Sequence, residues 1–169
     1  LVLDAPFVME QGVGLKTWKP ENYGKKFYGP STLRVGIEKS RNLMTVRVAQ
    51  KVGFNKISEI TNNFGIYNDV PELLSVSLGA AETSLIKLSN AYCTFVNGGK
   101  KVEPIFIDRI QDRRGKTIFN ADKRKCIGCE EISYLKNEVP IINDNRKQII
   151  SAETAYQITS MMEGVIKRG

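Results

Sequence analysis

Thr32-Leu33-Arg34-Val35-Gly36-Ile37-Glu38-Lys39-Ser40-Arg41-Asn42-Leu43-Met44-Thr45-Val46 is the stretch on which the reading of this chain turns. Leu33 and Ile37, with Val35 beside them, recur at helical spacing. The polar triplet Ser40-Arg41-Asn42 then breaks the pattern. It resumes with Val46, Val48 and Ala49 and closes at Gly53, placed at C′, where a left-handed backbone ends many helices. Two short helices, 32–39 and 43–52, are predicted on either side of a polar corner. Taken alone, the corner is a helix-to-helix turn in which Ser40 or Asn42 caps the second helix.

Outward from this corner the punctuation stays regular. Asn55 is placed as the N-cap of a third helix, 55–64, carrying Ile57, Ile60 and Phe64 and stopped by Gly65. Residues 66–82 read as a loop with turns at Asn68-Asp69 and Pro71. A stronger helix, 83–97, starts at Thr83 with Leu85, Leu88, Tyr92 and Phe95/Val96 on one face, and Gly98-Gly99 ends it. Val102–Ile110 and Lys116–Phe119 flank Asp112-Arg113-Arg114-Gly115, which predicts a β-hairpin over 102–120. Residues 120–150 are polar and irregular. Ser151 caps a last helix, 151–167, whose apolar face is Ala152, Ala155, Ile158/Thr159, Met162 and Ile166. Residues 1–30 are cut by Pro6, Gly12, Gly14, Pro20, Gly24, Gly29 and Pro30 into short extended pieces. The sum is a helix-dominated α+β chain with one hairpin and no internal repeat.

Composition narrows the chemistry. The 169 residues, 41% hydrophobic and 25% charged, make one domain with a buried core. No apolar run approaches the ~20 residues of a membrane helix. Twenty-five Lys and Arg against 18 Asp and Glu give +7, but the basic residues are scattered without interleaved aromatics, so no nucleic-acid partner is expected. There is no histidine. Ser-His-Asp triads, Cys-His dyads and His-bearing metal sites are thereby excluded, and any nucleophile here needs Lys or a carboxylate as its base. Cys93 lies in an apolar stretch and is expected in the core. Cys126-Ile127-Gly128-Cys129 is half of a zinc-ribbon pattern, and a local disulfide or two loop thiols are preferred over zinc.

Several motifs dissolve on inspection. Gly115-Lys116-Thr117 resembles the end of a phosphate loop, but Ile110 stands where that loop needs glycine, and a hairpin turn accounts for it. S-x-x-K occurs at Ser84–Lys87 and Ser133–Lys136. Its chemistry is sound, because one helical turn sets an amine beside a hydroxyl. Ten serines and 16 lysines nevertheless give about one such match by chance, so neither is taken as a nucleophile.

The wider string is more specific. Asp4-Ala5-Pro6, Trp18-Lys19-Pro20-Glu21-Asn22, Gly29, Thr32-Leu33-Arg34 and Ser40-Arg41-Asn42 come first in order. Ser77-Leu78-Gly79, Thr83, Asn90-Ala91-Tyr92, Asn97-Gly98-Gly99, Pro104 and the hairpin with Asp112 and Gly115 follow. This order resembles the transpeptidase domain of class A penicillin-binding proteins, closest to the 1A type. The likeness covers nearly the whole chain and is weakest over 120–150. It implies the serine β-lactamase-like fold and an active site built from S-x-x-K, S-x-N and K-[ST]-G. Only S-x-N is matched here, as Ser40 and Asn42. By the same resemblance the S-x-x-K helix precedes Leu1 and the K-[ST]-G strand follows Gly169. Lys167-Arg168-Gly169 has Arg in the middle position and ends a helix, so it is not that motif.

The resemblance therefore implies a piece, residues 1–169, of a bifunctional glycosyltransferase and transpeptidase of peptidoglycan synthesis. The parent is expected in the bacterial inner membrane, anchored outside this segment, with this domain in the periplasm. Its expected partners are peptidoglycan stem peptides and β-lactams, and no metal or organic cofactor is called for. In that chemistry Ser40 relays a proton and Asn42 hydrogen-bonds the substrate amide and holds the catalytic lysine, as an uncharged hydroxyl and amide can beside a lysine. The 169-residue piece alone is expected to be inactive. Its helices would cover a central sheet that it mostly lacks, which implies exposed apolar surface and self-association. The alternative is a non-catalytic interaction or scaffold domain with a basic surface.

Overall fold

A computed structural model describes residues 1–10, 14, 16–124, 126–127 and 141–169. Its centre is the helix that follows the polar corner. The first strand, β1 (Val2–Asp4), pairs antiparallel with β2 (Gly29–Ser31), setting Asp4 opposite Gly29. Helix α1 (Leu33–Glu38) follows, capped by the Thr32 hydroxyl, which accepts the Val35 N–H. Then come α2 (Asn42–Val52) and α3 (Phe54–Asn63). One residue, Gly53, separates them. Its φ of 86° makes it the end of α2 and the start of α3 at once. Asn55, expected as the N-cap, therefore falls inside the first turn of α3.

The core lies under α2. Phe7, Leu43, Val46, Ala49 and Leu74 are buried together, with Met9, Trp18, Phe54 and Ile57 packed against them. Phe7 meets Trp18 edge to face with ring centroids 6.3 Å apart. Leu74 comes from a 3₁₀ turn, Leu74–Leu78, inside the stretch expected to be plain loop. Burial of Leu74 and the Ser77 hydroxyl bond to its carbonyl (2.6 Å) hold that turn.

Helix α4 (Leu85–Val96) packs on the far side through Ala91, Thr94 and Phe95, whose ring sits 4.9 Å from Phe64. The last helix, α5 (Ala152–Arg168), lies against α1 and α4, with the Ser151 hydroxyl capping it as expected. The apolar faces match the periodicity reading in part: Val46 and Ala49 of α2 and Ala155 of α5 are buried, and Ile158, Thr159 and Met162 are half-buried. Leu85, Leu88, Tyr92 and Val96 of α4 are exposed, as are Ala152 and Ile166 of α5, and so is Cys93, expected in the core. Small residues, Ala91, Ala155 and Gly164, are the fully buried ones on these two helices together with Thr94, while Phe95, Ile158 and Met162 are half-buried.

The hairpin is shorter than 102–120. Strands β3 (Arg109–Gln111) and β4 (Thr117–Asn120) pair antiparallel around a turn in which Gly115 has φ 80°. Asp112 Oδ1 accepts the N–H groups of Arg114 (2.8 Å) and Lys116 (2.9 Å), closing the turn. Residues 102–108 are not strand, for Pro104 lacks an N–H and Ile105, Phe106 and Ile107 are all exposed. In the irregular stretch, β5 (Cys126–Ile127) pairs with β6 (Ile141–Ile142). Residues 147–150 dock on the end of α4 at Gly99, where an added Cβ would lie 2.3 Å from the Ile150 carbonyl.

Candidate active site

The corner between α1 and α2 is built by backbone first. The Arg41 N–H donates to the Gly36 carbonyl (2.8 Å) and the Ser40 N–H to the Ile37 carbonyl (3.1 Å). These two bonds define a Schellman ending for α1, with Ser40 at the position usually held by glycine. Ser40 has φ 50°, one of two non-glycine residues among those described with positive φ. The residue is exposed. A serine thus stands exposed and in a left-handed conformation at the tip of a tight corner.

Neither Ser40 nor Asn42 caps α2. The N-cap residue is Arg41, with no side-chain cap bond. The cap comes from elsewhere in the chain: Asn22 Oδ1 accepts the Leu43 N–H at 3.3 Å, in the buried interior. The Asn22 amide donates to Asp4 Oδ1 (2.7 Å) and to the Lys26 carbonyl (2.9 Å). Asn42 Nδ2 donates to the Glu21 carbonyl (2.9 Å), leaving its oxygen and second N–H for other partners. Arg41 turns inward. Its guanidinium carbon lies 3.3 Å from the Tyr28 ring centroid, and its Nε lies 4.0 Å from Asp4 Oδ2, which is fully buried. Further along α2, Arg47 donates to the carbonyls of Ala5 (3.1 Å) and Pro6 (2.7 Å). The Asp-Ala-Pro, Trp-Lys-Pro-Glu-Asn and Ser-Arg-Asn strings therefore meet at one place.

The other side of the corner is braced by α5. Glu38, the last residue of α1, is buried and accepts from Arg168 at 2.5 and 3.1 Å, with Arg34 Nη1 3.5 Å away. The Arg168 hydrogen bonds, ahead of the cost of burial, hold the Glu38 carboxyl below the ordinary glutamate range, and Arg34 adds to this. Arg34 also donates to the Ser160 carbonyl (3.2 Å) and hydroxyl (3.3 Å), and Lys39 donates to the Arg168 carbonyl. Gly164 makes the approach possible, since a Cβ there would lie 2.0 Å from Glu38 Oε1.

The remaining sequence candidates lie apart from this corner. Ser84 is the N-cap of α4, and its hydroxyl accepts the Lys87 backbone N–H (3.4 Å), so that S-x-x-K match is a capped helix start. Ser133–Lys136 lies outside the described residues, as do Cys129 and the side chain of Cys126. Among the described residues no three His, Cys, Asp or Glu converge on a metal-sized site. Lys167-Arg168-Gly169 ends α5, with Arg168 engaged by Glu38. Sequence reasoning assigned no role to Asp4, Asn22 or Arg41 and passed over Tyr28. The available signal was an isolated Asp and Asn in a turn-rich stretch that must find partners once buried.

Known proteins carry the same arrangement of chain. Residues 3–169 match the family described as penicillin binding protein transpeptidase domain. Penicillin-binding protein 1A of Rickettsia bellii is 43% identical over 98% of this chain, which spans 21% of that relative's length. The crystal structure of penicillin-binding protein 1A from Haemophilus influenzae superposes with a TM-score of 0.81 and 31% identity, covering 99% of this chain and 26% of that one. Penicillin-binding protein A from Mycobacterium tuberculosis, solved as its imipenem acyl-enzyme complex, shares the fold at 17% identity and a TM-score of 0.68, over 98% of this chain and 38% of that one. A match running from Leu3 to Gly169, through the Asp4–Asn22–Arg41 junction and the Ser40 corner, settles the family: the chain belongs to the penicillin-binding protein transpeptidase domain family.

Proposed function

We propose that this chain supplies the S-x-N corner of a D,D-transpeptidase that cross-links peptidoglycan, within a bifunctional protein that also polymerises glycan strands. The reaction is acyl transfer. A serine hydroxyl, activated by a lysine one helical turn away, attacks the D-Ala-D-Ala carbonyl of a stem peptide. D-Ala leaves, and an amine of a second stem peptide takes the acyl group. In this scheme Ser40 passes a proton between that lysine and the leaving nitrogen, while Asn42 hydrogen-bonds the substrate amide and the lysine. The parent is placed at the bacterial inner membrane with this domain on the periplasmic side. β-Lactams, which resemble the dipeptide, trap the attacking serine as an ester, and the imipenem adduct of the Mycobacterium tuberculosis relative supports that reading.

The single observation that carries the proposal is Ser40 itself, exposed and left-handed on a strained and doubly braced corner. A serine that merely ended a helix would gain nothing from a conformation that glycine adopts freely. The S-x-N pair assists proton transfer and supplies neither nucleophile nor oxyanion donors. A fluorescent penicillin should therefore acylate the full-length protein and leave the 169-residue chain unlabelled. In the full-length protein Ser40→Ala should slow acylation by roughly 10²–10⁴-fold, as losing a proton-transfer group does. Ser84→Ala should leave the rate unchanged. An unaltered rate in Ser40→Ala would return Ser40 to helix termination, and a full-length protein that takes no label would favour a scaffold.

A further inference from the structure

We propose that Arg41, the middle residue of the S-x-N triplet, is a positioning residue: Asp4 and Tyr28 fix its side chain, and it fixes Ser40 and Asn42 on either side. This rests on the transpeptidase reading above. The residue type at position 41 makes no sense as helix chemistry. Arg41 occupies the N-cap of α2, where Ser, Thr, Asp or Asn would satisfy a free N–H and arginine cannot. Asn22 must deliver that bond from 21 residues away. What arginine does provide is reach. Its side chain runs from the corner into the interior, stacks on Tyr28 at 3.3 Å and faces the fully buried Asp4 carboxylate.

The pair is a poor device for stability alone. Arg41 Nε and Asp4 Oδ2 are 4.0 Å apart, and both atoms are buried with no hydrogen-bond partner. Burying two charges at that separation costs desolvation that a loose ion pair does not recover, so an apolar pair of similar volume would serve folding at least as well. The charges instead define where the guanidinium can be. Anchored by its own N–H on Gly36, by the ring and by the carboxylate, Arg41 leaves the backbone between Ser40 and Asn42 little freedom. Ser40 is thereby kept in its left-handed conformation and Asn42 at the first turn of α2. Asp4 itself is set by β1 pairing with β2 and by the Asn22 amide.

The test uses the full-length protein and penicillin acylation resolved into the binding constant K and the acylation rate k2, with active-site titration to count competent molecules. Asp4→Asn keeps the shape and the Asn22 contact and removes the charge. Arg41→Gln removes the guanidinium. Each should lower k2 per titrated site at least tenfold with K within about twofold, and the double variant should be no slower than the worse single one, because both changes break one linkage. Arg41→Lys, charged but unable to stack as a plane, should fall between wild type and Arg41→Gln. Arg47→Gln, which loses the Ala5 and Pro6 carbonyl bonds and the guanidinium's place over the Phe7 ring, should lower the competent fraction and leave k2 alone. A lower competent fraction with unchanged k2 in Asp4→Asn would make the pair purely structural and overturn the proposal. So would multiplying losses in the double variant. A wild-type protein that is not acylated would remove the transpeptidase reading, and this proposal with it.

Discussion

At Ser40 the demands of folding and of chemistry pull apart. The Schellman ending of α1 asks for a left-handed residue, and at φ 50° a side chain pays about 1 kcal/mol or more that glycine does not. The triplet's polarity made the corner legible in sequence, because Ser40-Arg41-Asn42 interrupts an apolar period. The left-handed backbone was not legible, since no glycine marks it and serine is a common cap. The same conflict makes a clean experiment. Ser40→Gly should leave the thermal midpoint unchanged or raise it by a few degrees, whereas Ser40→Ala, which keeps the strain, should not. Both should lose acylation to the same extent, because both lose the hydroxyl. Differential scanning fluorimetry beside penicillin labelling checks this, and a glycine variant less stable than the alanine variant would show that the corner is not strained.

Between elements, the decisive contact is α1 on α5. Arg34, Glu38 and Arg168 form one charged group against Gly164, with Ser160 receiving Arg34. Periodicity located the five helices of the described residues and the buried faces of α2 and much of α5, but it misassigned the face of α4 and missed the α1–α5 contact. It follows large apolar residues, whereas α5 approaches α1 through a glycine and a buried carboxylate. The strand reading overran for a similar reason, as Ile105, Phe106 and Ile107 are apolar yet pair with no strand among the described residues. Glu38 also ties this contact to pH. Its carboxyl is held below its usual value of 4.5 in the fold, so it favours the folded state above that pH, and the contribution is lost as pH falls through the lowered value. Glu38→Gln should be less stable than wild type at pH 7, and the two acid-unfolding curves should converge below pH 4.5. Asp122, bonded by Arg124, also titrates low, at about 2, but the pair is a surface contact within one loop and should contribute little. Parallel curves for wild type and Glu38→Gln through that window would mean the contact carries no charge-dependent stability.

For the whole molecule, the order of motifs was readable and their convergence was not. Asp4, Asn22 and Arg41 are separated by turns whose closure only tertiary packing determines, so sequence spacing could not show that they meet. The exposed surface follows from the same packing. Leu85 is 81% exposed, Val96 73% and Phe106 82%, with Leu88 and Tyr92 completing a stripe along α4. Leu33 and Ile37 border an apolar groove with Met44 and Val48 beside the Ser40 corner. Apolar area of this extent costs roughly 25 cal/mol per Å² to keep in water, and association is the available relief. The isolated 169-residue chain should therefore bind a hydrophobic dye and form larger species as its concentration rises, in light scattering coupled to size exclusion. Leu85→Lys with Val96→Lys should reduce both effects without lowering the unfolding midpoint, because neither side chain is packed. A chain that stays monomeric at high concentration and binds no dye would mean that these side chains are covered by some rearrangement of α4.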